Sequence, residues 1–276
     1  VSANTFDEAW KNGSFKGKLG IYHETVDADN APLDDSFTNF FMSLKYETAK
    51  WNSLQFGTEV FAAQKISDEN NQFFRDFEGT TDTQAAVSEF YIKYHFAQKS
   101  HLALGRYNHK KISHIDDAQS QGGYLQIKEI DNLTLNAGYM TEYAELDYDD
   151  YEDFGRARGQ QDLSTNPLTD DYLLFIDADY KISDAISINP YFYSQGDYAS
   201  VFGADASLGL SMDSMKLGAD LTVYSVDSDV AGTGDSTVYS ISPWLKVAKF
   251  KLGVGYIAFE QGLSKPFWFK DHLGGF

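Results

Sequence analysis

Apolar and polar residues alternate with a period of two in short stretches along the whole chain. In one stretch, the apolar residues Phe40, Met42 and Leu44 are separated by residues that include Ser43 and Lys45. This period places alternate side chains on opposite faces of a β-strand. The pattern recurs and predicts strands at 14–25, 37–49, 53–64, 86–98, 100–108, 121–129, 132–143, 171–183, 185–195, 200–212, 214–226, 236–248 and 250–261.

The connections between these strands are short and long in alternation. Short turns are predicted at 49–52, 98–101, 130–132, 183–185, 213–214 and 248–249. Long polar connections are predicted at 26–36, 65–85, 109–120, 144–170, 227–235 and after 261, with a briefer one at Gly196. No helical pattern long enough for a parallel crossover lies between the strands. We therefore predict an up-and-down antiparallel sheet whose two ends differ, as in a transmembrane β-barrel.

The two faces of the predicted strands differ in chemistry. The apolar face, which we expect to contact lipid, carries Leu19, Ile21, Phe40, Met42, Leu44, Leu54, Phe56, Val60, Phe90, Ile92, Tyr94, Leu125, Ile127, Leu174, Ile176, Ile186, Ile188 and Leu208. The opposite face, which we expect to enclose water, carries Lys16, Lys18, Lys45, Glu47, Glu59, Glu89, Lys93, His95, Lys128, Asp177, Asp179, Lys181, Asp205, Lys216, Asp220 and Lys246. A soluble β-sandwich also alternates, but it usually keeps its connections short at both ends. The sequence favours the barrel.

The composition is compatible with a membrane barrel. Aromatic residues make up 16% of the chain, as expected where aromatic girdles lie at two membrane interfaces. The mean hydropathy is only −0.40, but a barrel strand needs about 10 residues, half of them facing lipid. The net charge of −19 argues against a nucleic-acid partner, and the absence of cysteine excludes disulfides and thiolate metal sites.

The strand pattern runs along the whole chain and predicts one β-barrel domain, residues 1–276. Bacterial barrels have an even number of strands, yet the last clear strand ends near residue 261 on the long-loop side. Either Lys265–Phe276 completes a barrel of about 14 strands, or this sequence stops short of a larger barrel. The start at Val1 is typical of a mature chain, so we expect a signal peptide to have been removed.

The segment from Asn4 to Leu19, with Gly13 and Gly17 in a Gly-x-x-x-Gly spacing, resembles the start of OprD-like bacterial outer-membrane porins. The stretch Leu102–Arg106 resembles the strand before the third outer loop of that family. The resemblance covers the first half of the chain. It implies a channel in the outer membrane of a Gram-negative bacterium, with up to about 18 strands in the intact protein. It also implies assembly as a homotrimer.

The resemblance also implies that the third outer loop folds inward and narrows the pore. This loop would be residues 108–120, with His109, Lys110, Lys111, His114, Asp116 and Asp117 as its charged and titratable residues. Arg106 would line the pore at the foot of the loop. Its alternation with Leu102 and Leu104 points it at lipid instead, so this role requires a β-bulge. Without a bulge, the Arg106 side chain would extend to the membrane interface.

A porin selects solutes by charge and width and needs no covalent chemistry. The predicted pore-lining and constriction residues are Lys45, Glu59, Glu89, Lys93, Arg106, His109, Lys110, Lys111, Asp116, Asp117, Asp177, Asp179 and Asp220. They mix both signs of charge, while the loops are acidic. We expect passive diffusion of ions and small hydrophilic solutes with a mild preference for cations. The expected partners are outer-membrane lipid and lipopolysaccharide, and no cofactor is expected.

Metal binding and enzymatic catalysis have weaker support in this sequence than a porin function. The densest acidic stretch holds Glu145, Asp147, Asp149 and Asp150, whose oxygens suit Ca²⁺, but it lacks the ordered spacing of a dedicated calcium loop. No Gly-x-Ser-x-Gly elbow and no His-x-x-x-His pair on a helix is present, so an enzyme is not expected. A surface-displayed adhesion barrel or a plugged, specific receptor is the alternative, and single-channel conductance distinguishes it from a porin.

Overall fold

The computed structural model describes residues 2–26, 35–68, 84–108, 119–144, 152–153, 172–196, 199–228 and 235–260, which form one sheet of seventeen strands and a short helix. The helix is α1 (Phe6–Lys11). The strands are β1 (Ser2–Ala3), β2 (Ser14–Val26), β3 (Asp35–Glu47), β4 (Lys50–Trp51), β5 (Leu54–Asp68), β6 (Gln84–Tyr94), β7 (His101–Asn108), β8 (Gln119–Ile127), β9 (Leu133–Ala144), β10 (Glu152–Asp153), β11 (Leu173–Ser183), β12 (Ile186–Gln195), β13 (Ala199–Met212), β14 (Met215–Ser228), β15 (Ser236–Val247), β16 (Phe250–Gly253) and β17 (Tyr256–Glu260). No described helix is long and apolar enough to cross a membrane.

The long strands pair antiparallel with their neighbours in chain order. The order across the sheet is β2, β3, β5, β6, β7, β8, β9, β11, β12, β13, β14 and β15. One edge of β15 pairs with β14. Its other edge pairs with two short strands in succession, β16 and β17. This is the predicted up-and-down all-β barrel fold. Among the described residues, the second edge of β2 and that of β17 are unpaired. The segment 265–276, which could form a fourteenth strand, lies outside the described residues.

The observed strands correspond closely to the predicted ones. β1, β4 and β10 are only two residues long and were not predicted. The predicted strand at 250–261 is interrupted between β16 and β17, opposite Pro243. Proline has no backbone N–H to donate, so the ladder is weakened at this point. Each of the other long strands matches a prediction to within a few residues.

Short turns join the long strands at one end of the sheet, which we call the short-turn end. Three of these turns contain residues with positive φ, as tight hairpins often require. These residues are Asn52 (47°), Ser53 (68°), Asn132 (62°) and Ala248 (51°). Asparagine tolerates the left-handed region better than most residues, whereas alanine does not. These three tight turns lie where the sequence alternation predicted short turns.

The sheet has one covered face and one exposed face. On β3, Phe37, Asn39 and Phe41 are buried, whereas Phe40 and Leu44 are exposed. We call the covered face the inner face and the other the outer face. The cross-strand registers carry this alternation across the long strands, and they place the predicted lipid-facing set on the outer face and the predicted water-facing set on the inner face.

The inner face carries a large apolar cluster that, apart from Tyr91, lies farther from the short-turn end than the lysines. Its buried cluster contains Tyr91, Tyr107, Met140, Leu173, Phe175, Tyr191, Tyr193, Ala199, Val201, Tyr224, Val226 and Val238. The sequence alternation had predicted a mainly polar inner face. Aromatic residues occupy both faces here, and the hydrophobicity of a residue alone does not tell which face it occupies.

Helix α1 was not predicted. The side chain of Thr5 caps it, because Oγ1 accepts a hydrogen bond from the backbone N of Glu8 at 3.2 Å. The acidic residues Asp7 and Glu8 in the first turn and Lys11 in the last turn also suit the helix dipole. These interactions explain how so short a segment can be helical.

Helix α1 packs at the short-turn end against the outer side of β4 and β5. The backbone N of Ala49 donates a hydrogen bond to the carbonyl of Ala9 at 2.9 Å. The ring centroid of Phe6 lies 5.5 Å from that of Trp51 and 6.2 Å from that of Phe56. The amino-terminal segment therefore adds aromatic surface at one rim of the sheet.

Candidate functional site

Charged side chains on the inner face lie in two layers. The first layer, which we call the lysine belt, consists of lysines within two residues of a strand terminus at the short-turn end. Its members are Lys16, Lys45, Lys93, Lys128, Lys181, Lys216, Lys246 and Lys251. The second layer, which we call the acidic belt, consists of acidic residues four to seven positions from the same strand termini. Its members are Glu59, Glu89, Asp177, Asp179, Asp205 and Asp220. Glu47 lies at the level of the lysine belt, while Lys18 and Lys65 lie farther from the short-turn end.

Ion pairs cross β5 to connect β3 with β6. Lys45 on β3 pairs with Glu89 on β6, and its Nζ also lies 4.0 Å from Oε2 of Glu59 on β5. Lys93 Nζ on β6 lies 2.9 Å from Glu47 Oε1 on β3. β3 and β6 thus each supply one cation and one anion. The side chain of Glu89 is only 3% exposed, so its ionised form depends on Lys45.

Tyr91 lies between these charges. Its hydroxyl donates a hydrogen bond to Glu47 Oε1 at 3.1 Å, and its ring centroid lies 4.6 Å from Lys93 Nζ and 5.6 Å from Lys45 Nζ. Gly57 faces Tyr91 in the β5–β6 register, and a Cβ atom there would lie 2.2 Å from Tyr91 Cζ. The absence of a side chain at Gly57 therefore allows the ring to lie over β5.

A buried chain of hydrogen bonds crosses β8, β9, β11 and β12. Gln126 Nε2 donates to Asn136 Oδ1 at 2.9 Å, and Asn136 Nδ2 donates to Asp177 Oδ1 at 2.7 Å. The hydroxyl of Tyr193 donates to Asp177 Oδ2 at 2.7 Å. Asp177 is only 1% exposed, and hydrogen bonds to both of its oxygens offset part of the cost of burial.

The other acids of this wall accept hydrogen bonds from uncharged side chains. The pairs are Asn189 Nδ2 with Asp179 Oδ1 at 3.1 Å, Thr222 Oγ1 with Asp205 Oδ1 at 2.7 Å, and Ser207 Oγ with Asp220 Oδ1 at 2.8 Å. These bonds fix the orientation of the three carboxylates on the inner face.

Three residues of the lysine belt lie directly opposite one another. Lys216 faces Lys246 in the β14–β15 register, and Lys246 faces Lys251 in the β15–β16 register. Like charges in directly opposite positions repel. Within the described part of the chain, no acid lies within 4.0 Å of any of the three. Lys251 Nζ lies 5.0 Å from the ring centroid of Trp244, a cation–π contact.

Lys181 has an acidic partner in the adjacent turn. Its Nζ lies 2.7 Å from Asp184 Oδ1, and both side chains are exposed. The hydrogen bond from Lys181 lowers the pKa of the Asp184 carboxyl below its ordinary value. An exposed ion pair of this kind stabilises the fold little, but it keeps Asp184 charged at the rim.

Two histidines lie on the inner face near the short-turn end. The ring centroids of His95 and His101 are 5.6 Å apart. His95 Nε2 lies 2.9 Å from Gln55 Oε1, and His101 Nε2 lies 3.0 Å from the hydroxyl of Tyr124. Among the described residues, no group of three or more His, Cys, Asp or Glu side chains could hold a metal ion.

The structure places seven of the residues predicted to line the pore on the inner face: Lys45, Glu59, Glu89, Lys93, Asp177, Asp179 and Asp220. It brings the first four together and places the aspartates on other strands. The predicted constriction residues His109, Lys110, Lys111, His114, Asp116 and Asp117 lie outside the described residues. So do the predicted calcium ligands Glu145, Asp147, Asp149 and Asp150.

The prediction that Arg106 lines the pore needs correction. Arg106 pairs in register with Phe90, which is 67% exposed on the outer face. The register of β7 runs without a shift, so the required bulge is absent from this strand. Arg106 Nε instead donates a hydrogen bond to Gln121 Oε1 at 2.9 Å. Arg106 therefore lies on the outer face, near the end opposite the short turns.

Several residues of the site were not identified from the sequence as pore-lining residues. Tyr91, Asn136 and Tyr193 share the inner face with the predicted charges, and the alternation alone could have placed them there. The pairing of Glu47 with Lys93 could not be found this way, because it depends on the registers of two strand pairs.

A model of the family described as "outer membrane porin, OprD family" matches residues 115–263. The match covers more than half of the chain, mainly in the second half, whereas the resemblance in the sequence was based on the first half. A search of curated proteins gives no significant match.

Solved porin structures share the fold. Acinetobacter baumannii OccAB4 has a TM-score of 0.75 at 16% identity, over 95% of this chain and 73% of that one. Pseudomonas aeruginosa OpdQ has a TM-score of 0.70 at 20% identity, over 92% and 67%. Pseudomonas aeruginosa OccD3 (OpdP) has a TM-score of 0.68 at 15% identity, over 91% of this chain but only 58% of the porin.

These comparisons agree with the architecture derived above. The strands pair as an up-and-down barrel, and the outer face is apolar. The chain spans between 58% and 73% of the length of these three porins. Because the family model covers more than half of the sequence, the chain belongs to the OprD family of outer membrane porins.

Proposed function

We propose that the chain forms the wall of a passive outer-membrane channel for ions and small hydrophilic solutes. The difference between the two faces of the sheet carries this proposal. On the outer face, Leu19 and Ile21 are each 70% exposed and Phe90 is 67% exposed, which suits contact with hydrocarbon. On the inner face, Lys216, Lys246 and Lys251 of the lysine belt are exposed, which suits contact with water. No covalent step is part of the mechanism.

A mild preference for cations belongs to this proposal. The inner face carries both signs of charge, and two of its lysines, Lys45 and Lys93, are paired with glutamates. The whole chain carries a net charge of −19, and many of its acids lie in the long connections. Acidic linings favour cations, and the lysine belt opposes this effect, so the preference should be small.

A plugged, specific receptor is the second candidate. The observation that favours it is the buried aromatic part of the inner face, where Tyr193 is 0%, Phe175 1% and Tyr224 2% exposed. An open, water-filled lumen would leave such side chains accessible. On this alternative, the barrel would show little or no steady conductance.

Conductance of the purified protein in a planar bilayer tests the proposal. Steady current steps are expected, and in a KCl gradient the reversal potential should have the sign of a weakly cation-selective pore. The same preparation after heat denaturation is the control and should give no steps. Clear anion selectivity contradicts the cation preference, and a silent barrel contradicts the open channel.

The assembly and the partners of the channel also belong to the proposal. We expect a homotrimer in contact with outer-membrane lipid and lipopolysaccharide, and weak Ca²⁺ binding by Glu145, Asp147, Asp149 and Asp150. Chemical cross-linking in detergent tests the trimer. Calorimetric titration with Ca²⁺ of the protein and of an Asp147→Asn, Asp149→Asn double variant tests the calcium site.

A further inference from the structure

We infer that a cleft in the inner face, at the short-turn end, binds a sugar-sized solute with several hydroxyl groups. This inference rests on the proposed function, because it names a class of hydrophilic solute that the lumen receives. The cleft has a volume of about 610 Å³, within the range of small-molecule sites. Residues of β9, β11, β12, β13 and β15, together with the turn between β11 and β12, line it.

Two glycines give the cleft its shape. Directly opposite residues of neighbouring strands form one row of the inner face, which consists of Gly209, Gly218, Trp244 and Gly253. A Cβ atom at Gly218 would lie 2.3 Å from Cζ2 of Trp244, so the indole ring covers this glycine. A Cβ atom at Gly209 would have no atom within 4 Å. The open space above Gly209, with Trp244 beside it, therefore forms the floor and one wall of the cleft.

The rest of the lining offers both donors and acceptors of hydrogen bonds. Lys181 on β11 supplies donors, and Asp179 on the same strand supplies acceptors. Ser207 on β13 donates its hydrogen to Asp220, so its oxygen is left as an acceptor. The side chains of Lys181, Asp179 and Ser207 are all exposed. A sugar hydroxyl both donates and accepts, so it suits a lining of this mixed kind.

The charges around the cleft favour an uncharged solute over an anion. Lys181 is the one cation among the described residues that line the cleft, and its Nζ lies 2.7 Å from Asp184 Oδ1. The exposed lysines Lys216 and Lys246 lie one row nearer the mouth and do not line it. The lining therefore provides hydrogen bonds without an unpaired cation for an anionic solute.

The indole N–H of Trp244 provides a further donor. Its Nε1 is buried and has no hydrogen-bond partner among the described residues. Cε2, which is bonded to Nε1, would lie 2.6 Å from a Cβ atom at Gly218, so this edge of the ring is turned towards β14 and the cleft beyond it. A small rotation of the ring would bring Nε1 to a solute oxygen above Gly209. The solute would then satisfy a donor that the protein leaves unpaired.

Saturation-transfer NMR of the full chain in detergent, with D-glucose as the probe, tests the inference. We expect saturable binding with a Kd of about 1–30 mM, because a solute in passage must also be released. Triethylene glycol is the control solute, since it is of similar size but has few hydroxyl groups. It should give no saturable signal.

Two glycine substitutions in the same row locate the site. Gly209→Val places a side chain in the open space and should weaken glucose binding by at least about tenfold. Gly253→Val is the matched control, because Gly253 lies on the other side of Trp244 and a Cβ atom there makes only ordinary contacts, the nearest at 3.4 Å. It should keep the affinity of the unaltered protein. Heat-modifiable gel migration shows whether each variant is folded.

A third substitution tests the indole donor. Trp244→Phe keeps an aromatic ring beside the cleft but removes the N–H, and it should weaken glucose binding by roughly threefold to tenfold. An unchanged affinity in the folded variant would overturn the role of this donor.

The outcomes separate this inference from the proposed function. Absence of saturable glucose binding to the folded, unaltered protein overturns the inference, and so does equal weakening by Gly209→Val and Gly253→Val. Steady conductance in a planar bilayer without glucose binding leaves the porin function intact. Glucose binding to a barrel that shows no conductance contradicts the open channel and supports the cleft as the site of a receptor.

Discussion

Lys93 and Glu47 form an ion pair at 2.9 Å although their strands, β6 and β3, are not paired with each other. β5 lies between them, and at the crossing point it presents Gly57 on the inner face. The ring of Tyr91 occupies the space above this glycine and donates its hydroxyl hydrogen to the same carboxylate. A glycine in the middle strand therefore allows the charges of two more distant strands to meet.

The first prediction concerns this glycine. Gly57→Ala should destabilise the folded barrel by about 1–3 kcal/mol, because the added Cβ would overlap the Tyr91 ring and force it to move. The free energy of unfolding can be measured by urea titration in detergent or lipid vesicles, with tryptophan fluorescence as the signal.

Gly209→Ala is the control for this substitution. A Cβ at Gly209 has no atom within 4 Å, and its φ is not in the left-handed region. This variant should be neutral or slightly stabilising, because alanine restricts the unfolded chain. Equal destabilisation by both substitutions would contradict the proposed role of the space above Gly57.

The second prediction concerns the ion pair between Lys45 and Glu89. Lys45→Met should destabilise the barrel by about 2 kcal/mol, because it leaves a nearly buried carboxylate next to Glu59 without its cation. Adding Glu89→Gln should restore part of this loss. A double-mutant cycle on unfolding free energies should give a coupling of at least about 1 kcal/mol.

An exposed pair in the same chain is the reference for this cycle. Lys11 and Asp7 lie 2.7 Å apart in α1, and each side chain is 71% exposed. The coupling measured with Lys11→Met and Asp7→Asn should not exceed about 0.5 kcal/mol. If the two cycles give the same coupling, the burial of Glu89 has no energetic role.

The third prediction concerns the docking of the amino-terminal helix. Phe6→Ala should destabilise the protein by about 1 kcal/mol, since the ring is half exposed and loses its contacts with Trp51 and Phe56. It should also speed cleavage by trypsin after Lys11. Phe15→Ala, at another exposed aromatic of the outer face, should leave that cleavage rate unchanged. Equal rates in the two variants would show that Phe6 does not hold the helix.

Much of the fold could be predicted because a period of two is a direct consequence of strand geometry. The alternation around Phe40 and Lys45 gave both the strand and the face of each residue, and turn residues such as Asn52 and Asn132 marked the hairpins. Helix α1 was missed because six residues show no clear helical period. Its capping signal, Thr5 followed three residues later by Glu8, was nevertheless present in the sequence.

The site was predicted less completely because charge identifies a face but not a partner. Lys45 and Glu89 were both placed on the inner face, but their pairing depends on the registers of β3, β5 and β6. For Arg106, the family resemblance suggested a pore-lining role, whereas the alternation with Leu104 pointed outward. The structure agrees with the alternation. The division of the lysines and acids into two belts becomes visible only when all strands are aligned at the short-turn end.

The central claim is that the outer face contacts hydrocarbon while the inner face contacts water. The chain contains no cysteine, so single cysteines can be introduced without background. Suitable neighbouring positions are Ser207 with Leu208 on β13, and Thr222 with Val223 on β14. In each pair, the first residue lies on the inner face and the second on the outer face.

The most direct measurement is the rate at which these four cysteines react with a small, water-soluble, membrane-impermeant thiol reagent in lipid vesicles. Unfolding in urea provides the control, in which all four should react alike. In the folded protein, Ser207→Cys and Thr222→Cys should react readily, and Leu208→Cys and Val223→Cys should be protected. Equal rates at neighbouring positions, or protection of the inner-face cysteines instead, would contradict the account.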